Sequence, residues 1–362
     1  ITIGDWSSDV CSSDLDFEQY LTSLPKYDFA LTYGSGVFRQ KGYSEKDKKN
    51  AMLDVIIGVK DPEAWHKENL RKNPKHYSSV RYLGVHSIVK VEECGLGHVY
   101  YNRHEMGSKE FRRPVKYGVI SLSSLNRDLR TWDSLYVAGR LQKPVRLLKA
   151  DEATIALMNR NLQSAVLAVL PLLPFTFTDR QLFLAITGLS YSGDIRTWFA
   201  ENPHKVENIV AGNYDFFRQL YKPIIAQCPF IHLEEDKADS EAVYKQDVSI
   251  ESLAHITSCL PSSLHTSIRQ QLEFPKHVVN VEGVSKATLY DVYYRRLSSL
   301  FDPMRRNENV VEAKERVAKG IQLGLRSIVF RSSIDQALRG NVSFGVLNSL
   351  TYVGKKIMKF VK

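Results

Sequence analysis

The chain has 362 residues, 43% of them hydrophobic and 25% charged, enough to bury a sizeable core in two or three domains and too apolar for a disordered chain. Its formal net charge of +9 and isoelectric point near 9.2 point to an acidic partner, whether a nucleotide, a nucleic acid or an anionic membrane surface. The four cysteines, Cys11, Cys94, Cys228 and Cys259, include no CxxC pair, so neither a zinc site nor a disulfide framework is indicated and a reducing compartment is the simpler expectation.

Residues 1–15, rich in Ser and Asp, match neither an Arg-rich presequence nor a signal peptide. They fit poorly with the rest of the chain and stay unassigned, with sequence assembly as their expected origin. Residues 17–24 have helical spacing and end at Pro25. Next, Tyr27-Asp-Phe-Ala-Leu-Thr-Tyr33 alternates and runs into Gly34-Ser35-Gly36, the pattern of a strand that turns into a phosphate-sized loop. Consecutive N–H groups and a serine hydroxyl in such a loop can cradle phosphate oxygens. A charged loop over residues 41–50 leads to Met52-Leu-Asp54-Val-Ile-Ile-Gly-Val59, an apolar strand holding one carboxylate. Burying Asp54 there is costly unless a cation or hydrogen bonds compensate it. A glycine-serine loop followed by such an aspartate is how nucleotidyltransferases hold a triphosphate and Mg²⁺; taken by themselves, the two stretches fit an ordinary turn and a salt-bridged strand residue at least as well.

Asp61-Pro62 starts a helix, and residues 74–78 read as its exit loop. Residues 85–91, 98–102 and 115–122 each alternate and are expected as strands. Residues 126–132 read as a helical turn and 135–145 as helix, turn and strand, which makes residues 16–150 an α/β or α+β domain. The composition then becomes helical. Residues 151–173 carry helical periodicity, and Thr178-x-x-Gln181 is a capping box that opens another helix. A turn at residues 189–196 and a helix at 206–220 complete a module over residues 151–225. A charged linker at residues 232–245 is expected to separate it from a helical C-terminal region, 226–340. The longest apolar run, residues 165–174, is broken by Pro171 and Pro174 and falls short of the ~20 residues that span a bilayer.

In residues 342–362 helical spacing places Val342, Val346, Leu350, Val353, Ile357 and Phe360 on one face and Lys355, Lys356, Lys359 and Lys362 on the other. This is the pattern of an amphipathic helix lying on an anionic membrane, to which each lysine contributes ~1 kcal/mol. The same pattern serves a terminal helix packed on the core.

Several strings occur in the order of one known family: Tyr33-Gly34-Ser35-Gly36-Val37-Phe38, Met52-Leu53-Asp54, His76-Tyr77-Ser78, Lys116-Tyr117-Gly118-Val119-Ile120-Ser121, Ala138-Gly139-Arg140-Leu141-Gln142-Lys143-Pro144-Val145, Gly188-Leu189-Ser190-Tyr191-Ser192-Gly193-Asp194 and Arg331-Ser332-Ser333. From about residue 16 onward the chain resembles the mitochondrial translocator assembly and maintenance protein family, phosphatidate cytidylyltransferases of the matrix face of the inner membrane. The resemblance implies an α+β chain: a nucleotidyltransferase-like mixed-sheet domain, a winged-helix-like domain and a helical C-terminal region. It implies CTP and phosphatidic acid as substrates, Mg²⁺ as cofactor, and CDP-diacylglycerol for cardiolipin synthesis as product. The attachment implied is peripheral, with a homo-oligomer left open. Asp54 becomes the primary metal ligand and catalytic residue, with Lys116 beside it. Tyr33, Gly34, Ser35, Gly36, Tyr117 and Gly118 are placed at the nucleotide, and Arg140 and Lys143 at the lipid phosphate or triphosphate. The second carboxylate usual in nucleotidyltransferases, two residues after the first, is Ile56 here, so Asp61 and Asp128 are the candidates for a further ligand. His66 and His76 read as structural histidines. No basic stripe interleaved with stacking aromatics is visible, so nucleic acid is not expected. The competing readings are a nucleotidyltransferase acting on RNA or another nucleotide acceptor, and a non-enzymatic scaffold for membrane-protein assembly.

Overall fold

The computed structural model describes residues 20–34, 36–38, 52–104, 114–195, 203–236, 240–274, 283–300 and 306–344. Ser35 and the proposed membrane tail from residue 345 onward lie outside the described residues.

Five strands, β1 (Phe29–Tyr33), β2 (Leu53–Val59), β3 (Tyr100–His104), β4 (Val115–Ser121) and β5 (Arg146–Lys149), form a mixed sheet in the order β3-β4-β2-β1-β5. β2 and β4 run parallel and the other neighbours antiparallel. The β2-to-β4 crossover contains α1 (Pro62–Lys72), 3₁₀ turns at Pro74–His76 and Ser79–Leu83, α2 (Val85–Glu93) and β3. Because side chains alternate across a strand, Leu53, Val55, Ile57, Val115, Tyr117 and Val119 share one core with Trp65 of α1 and with Tyr20, Leu21 and Leu24. The opposite face, with Phe29, Leu31, Ile56 and Ile120, joins the larger core of α3 (Leu122–Thr131) and the helices beyond it in the chain.

After α4 (Ala138–Leu141) and β5 come α5 (Glu152–Val169), β6 (Thr176–Thr178), α6 (Asp179–Leu189), α7 (Lys205–Gly212), α8 (Tyr214–Ala226), β7 (Ile231–Glu235) and β8 (Val243–Gln246). β6, β8 and β7 make a second, antiparallel sheet in that order. α9 (Ile250–Cys259), α10 (Ser262–Gln271), α11 (Lys286–Leu300) and the long α12 (Arg306–Phe344) complete the described chain. The stretch Glu152–Leu172 is long and apolar enough to cross a membrane, but 56% of its most apolar window is buried against the rest of the protein. Its side chains Met158, Leu162, Ala165, Val166 and Val169 belong to the larger core, so packing accounts for that apolarity.

The α+β class expected from the sequence is observed, and the Thr178–Gln181 capping box forms with both of its hydrogen bonds. Three expected elements differ. Residues 85–91 are helical rather than extended: Ile88, Val89 and Glu92 turn one helical face inward, and the β-branched residues imitate a strand. The charged stretch 232–245 is the β7–β8 pair instead of a linker. β7 is an edge strand whose His232, Leu233, Glu234 and Glu235 are exposed, and water solvates such charges at no packing cost. The helix expected over 206–220 is two helices that meet at Asn213.

Asn161 of α5 joins the two sheet-bearing parts. Its side-chain oxygen accepts from Trp132 Nε1 (2.8 Å) and Gln142 Nε2 (3.2 Å), and its Nδ2 donates to the Ala138 carbonyl (2.9 Å), all in a buried setting. Asn161→Ala leaves three buried polar groups without this partner, so urea unfolding is expected to show a loss of about 2–4 kcal/mol.

Candidate functional site

The strand registers set three side chains in one row. Tyr33 of β1 lies opposite Asp54 of β2, and Lys116 of β4 lies opposite Asp54 on the other side. Directly opposed residues on one sheet face are near neighbours, and this face is the one that the α3 side of the molecule covers. Gly34 follows Tyr33 at φ +82°, and a Cβ added there would stand 3.3 Å from Asp54 Oδ2. The glycine therefore serves twice, by adopting the left-handed conformation and by letting its backbone lie against the carboxylate. Val37 and Phe38 both donate backbone N–H groups to the Gly34 carbonyl (3.1 and 3.0 Å), closing the turn. Phe38 then meets Phe216 of α8 edge to face at 5.4 Å, so the loop reaches from the sheet to the second part of the molecule.

The second group of side chains is built by Asp128. This buried carboxylate accepts from the backbone N–H groups of Ser134 (3.1 Å), Leu135 (2.8 Å), Val137 (3.0 Å) and Ala138 (2.9 Å), and from the Ser134 hydroxyl (3.0 Å). These bonds hold a loop in which Trp132 and Leu135 take positive φ (56° and 50°), and α4 starts from it. Arg140, in α4, has its guanidinium 4.8 Å from the Tyr33 ring centroid and 4.6 Å from that of Tyr136, and it donates to the Tyr136 hydroxyl (3.0 Å). Its Nε is buried without a hydrogen-bond partner in the protein, a donor suited to an oxyanion. Tyr136 donates to Tyr101 (3.1 Å), and Lys116 Nζ stands 4.1 Å from the Tyr101 ring centroid. Gly118 makes room for that ring, since a Cβ there would lie 2.8 Å from Tyr101 Cε1 and 2.6 Å from Val99 Cγ1. Tyr33, Tyr101 and Tyr136 thus form a cradle that holds Arg140 and Lys116 by cation–π contact.

A third group comes from beyond the sheet. A Cβ on Gly139 would stand 2.5 Å from Ser190 Cβ, so α4 and the end of α6 touch backbone to side chain. Lys143 Nζ donates to Ser190 Oγ (2.8 Å) and to the Gly139 carbonyl. Lys143 and Lys205 Nζ lie 5.4 and 5.3 Å from the ring centroid of Tyr191. Lys205 escapes a reading of the sequence because no motif surrounds it. Its one signal is that it opens α7, where the helix dipole disfavours a cation.

Burial pushes the Asp54 carboxyl up from its ordinary value, against the pull of Lys116, Arg140 and Lys205. Burial, followed by repulsion from Arg140 and Lys205, pushes the Lys143 ammonium down to about 7. Arg140 and Lys205 are therefore felt both at Asp54 and at Lys143. One carboxylate among four cations is an arrangement that a polyanionic ligand relieves.

The remaining expected residues lie elsewhere. Tyr117 points into the opposite core, where its hydroxyl meets Asn69 Nδ2 and His76 Nδ1, each at 2.8 Å. His66 lies beside this network, bonded to Tyr77 (2.8 Å) and Glu92 (3.0 Å), and burial pushes its imidazole down to about 3. Gly118 is enclosed by Val99, Tyr101 and Ile56 and shapes the site from beneath. Asp61 caps α1 by accepting from Ala64 N–H (3.0 Å), while Asp128 is committed to its loop. Among the described residues no cluster of three or more His, Cys, Asp or Glu side chains is positioned to hold a metal ion. Asp54 joined by ligand oxygens and water is nonetheless a donor set that suits Mg²⁺, which binds through one or two carboxylates plus substrate phosphates.

The low position of Lys143 gives a test. Near pH 8 its amine is largely neutral, and a bound anion favours the ammonium, so binding of metal-free inorganic pyrophosphate at about pH 8 should take up more protons, net of any the ligand releases, in the wild type than in a variant lacking this amine. Calorimetry in two buffers of different ionisation enthalpy is expected to register this difference between the wild type and Lys143→Met, and equal proton changes would contradict it.

Comparison with known proteins bears on what this site serves. The sequence family described as mitochondrial phosphatidate cytidylyltransferase matches residues 17–359. The relative of that name from Xenopus laevis is 35% identical over 96% of this chain and 94% of its own length. The Schizosaccharomyces pombe relative is 35% identical over 95% of this chain and 84% of its own, and the human one 37% identical over 92% and 68%. With the match running through the glycine turn, Asp54 and the lysines of both parts, the chain belongs to the mitochondrial phosphatidate cytidylyltransferase family.

Proposed function

We propose that this chain transfers a cytidylyl group from CTP to phosphatidic acid, releasing pyrophosphate and forming CDP-diacylglycerol. The observation that carries the reading is the meeting of Gly34, Asp54, Lys116 and Arg140 at one sheet face, with Lys143, just after α4, and Lys205 of α7 adjoining. A phosphate oxygen of the acceptor attacks the α-phosphorus while the bond from that phosphorus to the β-bridging oxygen breaks, and the electron pair leaves with pyrophosphate. The attacking oxygen is already ionised, so no strong general base is required. Catalysis is then positioning and charge neutralisation.

Asp54, with oxygens of the triphosphate, would hold Mg²⁺, which when bound neutralises part of the triphosphate charge. The backbone at Gly34 and Gly36 would receive the β- and γ-phosphates, with Ser35 supplying its hydroxyl. Lys116 and Arg140 oppose the charge that develops on the leaving group, inside a site from which burial excludes much of the water. In-line transfer puts acceptor and leaving group on opposite sides of the α-phosphorus. With pyrophosphate at the glycine turn, the acceptor phosphate falls at the Lys143–Tyr191–Lys205 end.

The finer architecture is part of the same proposal. A nucleotidyltransferase-like sheet domain over residues 16–150 is supported by the mixed sheet and its glycine turn. A winged-helix-like second domain is supported by the order α5-β6-α6-α7-α8-β7-β8 and by the β6-β8-β7 sheet, which carries its end past residue 225 to β8. The relatives' names place them in mitochondria, and the matrix face of the inner membrane, with cardiolipin synthesis downstream, is the setting proposed here. Attachment through the lysine-bearing face of residues 342–362 makes it peripheral.

With labelled CTP, phosphatidic acid and Mg²⁺, Asp54→Asn is expected to lower kcat/KM by roughly 10²–10³-fold, the order lost when one charge-stabilising group is removed. Chelation by EDTA should abolish turnover, and wild-type rates in Asp54→Asn would refute the assignment. Removal of residues 345–362 should abolish flotation with anionic vesicles while CTP affinity stays within about twofold of wild type.

A further inference from the structure

The 3₁₀ turn Ser79–Leu83 ends in two bulky side chains turned to solvent, Tyr82 at 76% and Leu83 at 72% exposure. Val80 of the same turn is buried with Tyr77, Ile88 and Tyr100, and Gly84 comes next at φ +83° with open space around its Cα. The tip is therefore anchored from below and projected outward. Arg81 stiffens it: one guanidinium nitrogen donates to the Pro74 carbonyl (2.9 Å) and another to the Tyr82 hydroxyl (2.7 Å), with the guanidinium 4.8 Å from the Tyr82 ring centroid.

The surroundings are basic. Residues 71–90 contain Arg71, Lys72, Lys75, Arg81 and Lys90 and no Asp or Glu, and of these Arg71, Lys72, Lys75 and Lys90 are exposed. The nearest acid before them is Glu68, which pairs with Lys72 (2.6 Å). The turn also adjoins α12, which packs against β3 and against Ser79–Leu83. Further along α12, Asp335 accepts from Leu96 N–H (3.0 Å), and Leu96 is itself 43% exposed. α12 is the helix that leads in sequence to the basic tail.

We propose that Arg81, Tyr82 and Leu83 form a second membrane contact, inserting Tyr82 and Leu83 at the headgroup level of an anionic bilayer while the flanking cations meet its phosphates. An aromatic and an aliphatic side chain flanked along the chain by Lys and Arg is the chemistry of interfacial anchoring. Two side chains offer far too little apolar area for a stable protein partner, which buries on the order of 800 Å² on each side. Acting beside the tail, the tip gives the bilayer two contacts, so the protein binds in one orientation rather than swinging about a single anchor. This inference rests on the lipid-substrate reading above.

The test uses the full chain carrying Tyr82→Ser and Leu83→Ser together, both exposed positions, with vesicles of phosphatidylcholine containing phosphatidic acid. The double variant is expected to lose about tenfold or more in vesicle affinity. Its turnover of a water-soluble short-chain phosphatidate should match wild type. Unchanged vesicle affinity overturns the proposal, as does equal wild-type affinity for vesicles of phosphatidylcholine alone, or a self-association that the double substitution abolishes. Vesicle binding is read without CTP, so a failure of the catalytic reading registers in the turnover assay alone.

Discussion

The structure depends on one half-buried carboxylate surrounded by cations. Asp54 sits in the central strand of a mixed sheet, where β1 and β4 flank it and the Gly34 backbone presses against its oxygen. Without compensation, burial of that charge opposes folding. Lys116, Arg140 and Lys205 compensate it, and in doing so they assemble more positive charge than one carboxylate balances. The excess is what suits the site to a polyanionic ligand rather than to a closed salt bridge.

That excess is held in place by contacts that are themselves uncharged. Asp128 fixes the loop that launches α4 by accepting five hydrogen bonds, and Arg140 comes two residues after the last of the donors. The tyrosine cradle then holds the guanidinium by its faces, leaving Nε without a partner in the protein. Gly139 against Ser190 and Phe38 against Phe216 bring the α6–α8 segment up to the sheet, which is how Lys205 comes within range of Asp54 although 151 positions separate them in the chain (205 − 54). The site belongs to neither part of the molecule alone. Membership of the phosphatidate cytidylyltransferase family is what connects this geometry to the proposed transfer, in which two phosphate-bearing substrates would meet.

Much of this is legible in the residues. A lone carboxylate in an apolar strand and a glycine before a tight turn are local signals; by themselves they fit structural roles equally well, and it is the family resemblance that singles out Asp54 and Gly34, which the fold brings together. What escapes is long-range. Tyr101, Tyr136 and Lys205 are ordinary residues until the fold gathers them, and no spacing announces a cradle built from three separate segments. The carboxylates Asp61 and Asp128 look available because a sequence does not reveal which acids are already accepting backbone N–H groups. Tyr117 is drawn to the nucleotide by its neighbour Lys116, although the alternation of a strand sends the two to opposite faces. The β7–β8 pair is hidden because an edge strand in water carries the same charges as a linker.

The most direct measurement is electron paramagnetic resonance of Mn²⁺, substituted for Mg²⁺, in the presence of CTP and protein. Wild-type protein is expected to immobilise the Mn²⁺–CTP complex, and Asp54→Asn, which keeps the shape and removes the charge, is expected to leave the spectrum of the free complex. Equal immobilisation by both proteins would contradict the role given to Asp54.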